Sequence, residues 1–203
     1  MGLKKIIISM LMVLLCAVPA FAGYIDNFTK DNDIKAALVL LKNANAQEVF
    51  DNLEENSVKI AFYDLSQIDY RYMNQFAVNS IDSFGNRFIL INSKYKNASP
   101  EEIACIIAHE SFHKLAVATF EEECTATNKE AYYWGILKQA NKQYKDSKLL
   151  SRLNNLSQLK VSSTDTRNLI DEKINNSSFY KEQLATTSEN TVKLPTFDMI
   201  AVR

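Results

Sequence analysis

Apolar residues first recur at helical spacing in "DIKAALVLLKNA" (Asp33–Ala44), which predicts a helix. "AQEVFDNLEEN" (Ala46–Asn56) predicts a second short helix or a continuation of the first. The pattern then changes. "SVKIAFYDL" (Ser57–Leu65) is rich in β-branched and aromatic residues and reads as a strand. "QFAVNSID" (Gln75–Asp82) and "RFILINSKY" (Arg87–Tyr95) predict two more strands, and "SFGN" between them, with Gly85, predicts a hairpin turn.

Two helix starts follow. In "NASPEEIACII", Ser99 stands at an N-cap and Pro100 at the first helical position. Glu101 and Glu102 fall in the first turn, where the helix dipole favours negative charge. That helix is expected to run to about Ala116, and its centre "IACIIA" is apolar on every face, as in a buried helix. "TFEE" repeats the signal: Thr119 caps and Glu122 completes a capping box, opening a helix expected to reach about Tyr144. The short gap between the two forces an antiparallel hairpin. "SKLLSRLNNLSQL" and "TRNLIDEKINN" predict further amphipathic helices. Residues 186–203 show no period and read as an irregular tail.

Composition narrows the class. The chain has 203 residues, 47% hydrophobic and 23% charged, with a formal net charge of −1. That balance supports a packed core and offers no basic surface for nucleic acid. At the N-terminus, "MGLKK", the apolar "IIISMLMVLLCAV" and the A-x-A pattern of "PAFA" read as a secretory signal peptide over residues 1–22. The apolar run is shorter than the ~20 residues that a membrane span needs. The expectation is an exported protein with no membrane attachment after cleavage. A single domain over residues 23–185 would precede the tail. Cys105 and Cys124 would remain, and their spacing fits a disulfide or two buried thiols equally well.

The chemistry concentrates in "IIAHESFHKLAV", which contains both histidines of the chain. His109, Glu110 and His113 form H-E-x-x-H inside a helix placed there on independent grounds. Four residues advance a helix by one turn, so both imidazoles project from one face and can reach a common zinc ion. Glu110 lies to the side, as a general base would. Zinc lowers the pKa of water to about 7, and the glutamate takes its proton. Two histidines and a glutamate buried among "IACIIA" would be costly without a common ligand.

Zinc needs a third protein ligand, and no third histidine exists. The next helix opens with three carboxylates. Glu122 serves the capping box, and Glu121 faces solvent. Glu123 begins a stripe with Thr127, Glu130 and Trp134 that turns back toward the histidines. Glu123 is the expected third ligand, with Glu122 and Glu130 as the alternatives. Thr127 or Glu130 would lie near His109, where either can accept its second ring N–H.

These residues resemble the gluzincin zinc metallopeptidases. The matching pieces are H-E-x-x-H at His109–His113 and E-x-x-A at Glu123–Ala126, and "EECTATNKEAYYW" is similar to small exported bacterial proteins of this type. The resemblance covers about Pro100 to Trp134. It implies an α+β, zincin-like fold, in which the helical hairpin packs on a small mixed β-sheet with additional C-terminal helices. It also implies one zinc ion held by His109, His113 and Glu123, with Glu110 as general base. The substrate would be a peptide or protein, cut as by an endopeptidase rather than an exopeptidase. "RFILINSKY" would be the edge strand on which an extended peptide lies. Two features depart from the pattern. Thr127 stands where larger gluzincins usually place an Asp, and the gap from His113 to Glu123 is short. With both histidines committed, the oxyanion would need a Tyr, Arg or Lys, with Tyr132 and Tyr133 among the candidates. An inactive zinc-binding module of the periplasm or cell exterior is the alternative function.

Overall fold

The computed structural model describes residues 23–114, 119–158, 167–169, 171–172, 176 and 196–197. The expected signal peptide, residues 1–22, lies outside them. No helix among the described residues is long and apolar enough to cross a membrane.

The fold is mixed α+β. Helices α1 (Asn32–Asn43) and α2 (Gln47–Glu55) come first, and Asp31 caps α1 by accepting from the Asp33 and Ile34 amides. Both turn one apolar face inward: Ile34, Leu38 and Leu41 from α1, and Val49, Phe50 and Leu53 from α2. Strands β1 (Lys59–Tyr63), β2 (Ala77–Asp82) and β3 (Arg87–Asn92) follow. Gly85 takes φ 87°, the left-handed conformation that the β2–β3 turn requires and that glycine adopts without strain.

The sheet order is β1-β3-β2-β4, where β4 is Thr196–Phe197. β3 runs parallel to β1 and antiparallel to β2, with Ile89 opposite both Ile60 and Asn79. This corrects one expectation. The strand of "RFILINSKY" is central rather than an edge. Ile89 and Ile91 face the helices, while Phe88 and Leu90 pack with Leu65 and Val78 on the other side. A strand buried on both faces has no polar face, hence its unbroken apolar run. β1 and β2 flank it. The tail read as irregular supplies β4, whose two residues pair in parallel with Ile81 and Asp82. Two residues are too few to carry a period.

Helix α3 (Pro100–Ser111) passes through the core, with Ile103, Ala104, Cys105 and Ile107 inaccessible to solvent. Its capping box joins Ser99 and Glu102. It stops short of the expected Ala116. The Phe112 amide donates back to the Glu110 and His109 carbonyls, a tightened final turn, so His113 lies just beyond the helix. Residues 115–118 lie outside the described set.

Helix α4 (Phe120–Leu137) opens on the Thr119–Glu122 capping box. It ends seven residues before the expected Tyr144. The chain there doubles back: Tyr144 packs edge-on against Trp134 at 5.3 Å and accepts from the Gln139 amide. Lys142 and Gln139 thereby reach Glu101 at the start of α3. That contact fixes α3 and α4 as an antiparallel pair and neutralises a carboxylate buried by the fold. Helix α5 (Lys148–Gln158) seats Leu149, Leu150, Leu153 and Leu156. Within "TRNLIDEKINN", the described residues 167–169, 171–172 and 176 are helical. Cys105 and Cys124 are free thiols.

Candidate metal centre

His109 sits in the last turn of α3, where 3.6 residues per turn aim its ring along the same side as His113. The His113 amide donates to the Glu110 carbonyl at 3.2 Å, an i→i−3 bond that carries the tightened turn one residue past the helix end. Arg87 at the start of β3 donates to the His113 carbonyl at 3.5 Å. The two Nε2 atoms stand 3.2 Å apart.

Glu123 enters from the first turn of α4. Its Oε2 lies 3.7 Å from His109 Nε2, and its Oε1 lies 3.5 Å from His113 Nε2. These three residues offer donor atoms within 4.8 Å of one another. Glu122 is held elsewhere: its carboxylate accepts from the Thr119 and Lys114 amides. Glu121 is 74% exposed. The antiparallel hairpin thus selects Glu123 from three consecutive glutamates, because only that one points back at α3.

The triangle fits a tetrahedral cation. Donors at ~2.0–2.1 Å from a zinc ion in tetrahedral directions stand roughly 3.3 Å apart, close to the separations here. Two imidazoles and one carboxylate also leave a fourth direction open, as in hydrolytic zinc sites.

Glu130 lies two turns beyond Glu123 along the α4 stripe. Its Oε2 comes within 3.0 Å of His109 Nδ1, although the alignment falls short of a well-formed hydrogen bond. Of the two residues expected near that nitrogen, Glu130 makes the approach. The buried Thr127 hydroxyl and His113 Nδ1 have no hydrogen-bond partner among the described residues. Burial alone would raise the Glu130 pKa. The charge and hydrogen bonds of Arg152, with His109 alongside, outweigh it and hold the carboxyl well below the usual carboxylate range.

Glu110 is offset from the histidine face. Asn79 of β2 donates to its Oε2 at 2.8 Å. Burial is the main influence on Glu110 and pushes its pKa up to about 7, with Glu123 and Glu130 adding to the rise. His109 and the Asn79 hydrogen bond act in the opposite direction. A carboxyl balanced near neutrality is suited to exchanging protons.

Sequence reasoning did not identify Asn79 or Arg152. Asn79 belongs to a strand whose pattern reports burial but not what lies across the sheet face. Arg152 interrupts the leucines of α5, a weak signal for a buried charge. The two tyrosines proposed for the oxyanion lie elsewhere. Tyr133 donates its hydroxyl to Glu48 at 3.3 Å, and Tyr132 is exposed. Comparison of the chain with protein-family models, curated proteins and solved structures returns no match.

Proposed function

We propose that this protein is a zinc-dependent peptidase of zincin-like architecture, with His109, His113 and Glu123 holding one zinc ion. The observation that carries the reading is the convergence of those three side chains, with Glu110 near enough to feel the charges of His109 and Glu123. When bound, zinc supplies Lewis acidity: it lowers the pKa of water to about 7 and polarises a carbonyl. Glu110 takes the proton from the attacking water as oxygen adds to the peptide carbonyl carbon. It then passes that proton to the amine nitrogen as the C–N bond breaks. Asn79 holds the Glu110 carboxylate in place during both transfers. The basic and apolar N-terminal run supports an exported setting, and an internal peptide bond is the preferred target.

The test is a Glu110→Gln variant of the full chain assayed beside wild type. Wild type should bind one zinc per chain and cleave a peptide library in a chelator-sensitive way. The variant should keep the metal and lose at least a hundredfold in rate, the scale of general acid–base catalysis. Equal cleavage by the variant would refute the mechanism. A second reading, an inactive zinc-binding module, draws support from the Tyr133 hydroxyl being engaged by Glu48 rather than turned to the centre. Metal binding by wild type without any cleavage would favour it.

A further inference from the structure

We propose that Arg152 is a positioning residue for this centre: through Glu130 it orients the His109 ring and so sets how tightly the three donors hold a divalent cation. The inference rests on the metal-binding reading above and is independent of hydrolysis.

Arg152 belongs to α5, a third helix separate from the two that carry the donors. Its Nε donates to Glu130 Oε1 at 2.7 Å, and its Nη2 donates to Glu130 Oε2 at 2.6 Å. A two-point fork fixes the plane of a carboxylate, which a single ammonium charge does not. Both side chains are largely shielded, at 16% exposure for Arg152 and 4% for Glu130, so water competes weakly for the pair. The oxygen gripped by Nη2 is the same Oε2 that approaches His109 Nδ1 at 3.0 Å. An ionised carboxylate facing Nδ1 favours the proton on that nitrogen. The Nε2 lone pair is then directed at the point shared with His113 and Glu123.

The arginine is itself supported. Its guanidinium lies 5.7 Å from the centre of the Phe76 ring, next to β2. Leu149 and Leu153 anchor its helix in the core. Asn154 adds a polar tie by accepting from Trp134 Nε1 at 3.3 Å and Lys138 Nζ at 2.7 Å. The order of contact runs from α5 to α4 to α3, ending on a ring that faces the candidate cation.

The experiment measures zinc and cobalt(II) affinity by competition with a chromophoric chelator, using the full chain. The proteins compared are wild type, Arg152→Met, Arg152→Lys, Glu130→Gln and the Arg152→Met/Glu130→Gln double variant. Arg152→Met should weaken zinc binding roughly 10- to 100-fold, the usual effect of losing a residue that supports a metal ligand. It should also alter the cobalt absorption spectrum. Arg152→Lys keeps the charge without the fork and should recover only part of the affinity. The double variant should bind no more weakly than Glu130→Gln alone, because the arginine acts through that carboxylate. Leu65→Ala truncates the apolar cluster on the far face of the sheet, away from α5 and these contacts. It should lower the melting temperature and leave the affinity of the folded protein unchanged. Unchanged zinc affinity and cobalt spectrum in Arg152→Met would overturn the proposal, as would fully additive losses in the double variant. If Arg152→Met does not fold, Arg152→Lys decides: wild-type affinity and spectrum there overturn the proposal. Wild type that binds neither metal overturns both this inference and the metal-binding reading. Wild type that binds zinc yet cleaves nothing overturns only the peptidase reading.

Discussion

Asn79 on β2 donates its side-chain amide to Glu110 twice, to the carboxylate at 2.8 Å and to the backbone carbonyl at 3.1 Å. One side chain thus ties the sheet to the end of the histidine helix and orients the proposed base. Asn79→Ala should retain zinc at wild-type stoichiometry while kcat/KM falls by roughly ten- to a hundredfold, because the carboxylate loses its fixed position. Metal analysis alongside steady-state kinetics checks this. Loss of the metal together with the rate would show that Asn79 supports the ligands instead.

Neighbouring glutamates should behave in opposite ways. Glu123→Ala removes a donor and should abolish stoichiometric zinc binding. Glu122→Ala removes the reciprocal half of a capping box and should keep zinc while costing about 1 kcal/mol of stability. Chemical denaturation and zinc titration of the two variants decide the assignment. Retained zinc in Glu123→Ala would disprove it.

Removing the metal should also be visible in stability. A ligand that binds only the folded chain at a thousand times its Kd contributes about 4 kcal/mol. For a domain of this size that corresponds to a fall in Tm on the order of 10 °C when a chelator is added. Calorimetry with and without chelator measures it, and a chelator-independent Tm would contradict a site of that affinity.

The far end of the hairpin gives a pH prediction free of the metal. Burial opposes ionisation of Glu101, but the hydrogen bonds and charge of Lys142 prevail and lower its pKa. A carboxyl whose folded pKa lies below its unfolded one stabilises the fold above the unfolded value. That contribution is lost as pH falls through the folded value. Glu101→Gln should therefore be less stable than wild type at pH 7, by about 1–3 kcal/mol. The gap should narrow below about pH 4.5. Urea titrations at several pH values test it; a gap that widens in acid would reverse the assigned sign.

Local rules accounted for much of this protein. Apolar period and capping residues placed α1, α2, α4 and the start of α3. The Ser99–Glu102 and Thr119–Glu122 boxes are short-range hydrogen bonds that a few adjacent residues specify completely. The four-residue spacing of His109 and His113 favoured one shared side, and the tightened turn that ends α3 keeps His113 there although it lies just past the helix. The hairpin then made Glu123 the natural partner.

Other features depended on groups distant in sequence. β3 became central because β1 and β2 pair with its two edges, and β1 reaches it from far back in the sequence. α4 ended early because Lys142 and Gln139 folded back onto Glu101. The sheet brought Asn79 to Glu110, and the packing of α5 brought Arg152 to Glu130. The sequence alone therefore determined the helices and the donor types, since both follow from contacts within a few residues. Only the tertiary structure decided which groups surround those donors, because that depends on how whole elements pack once the core excludes water.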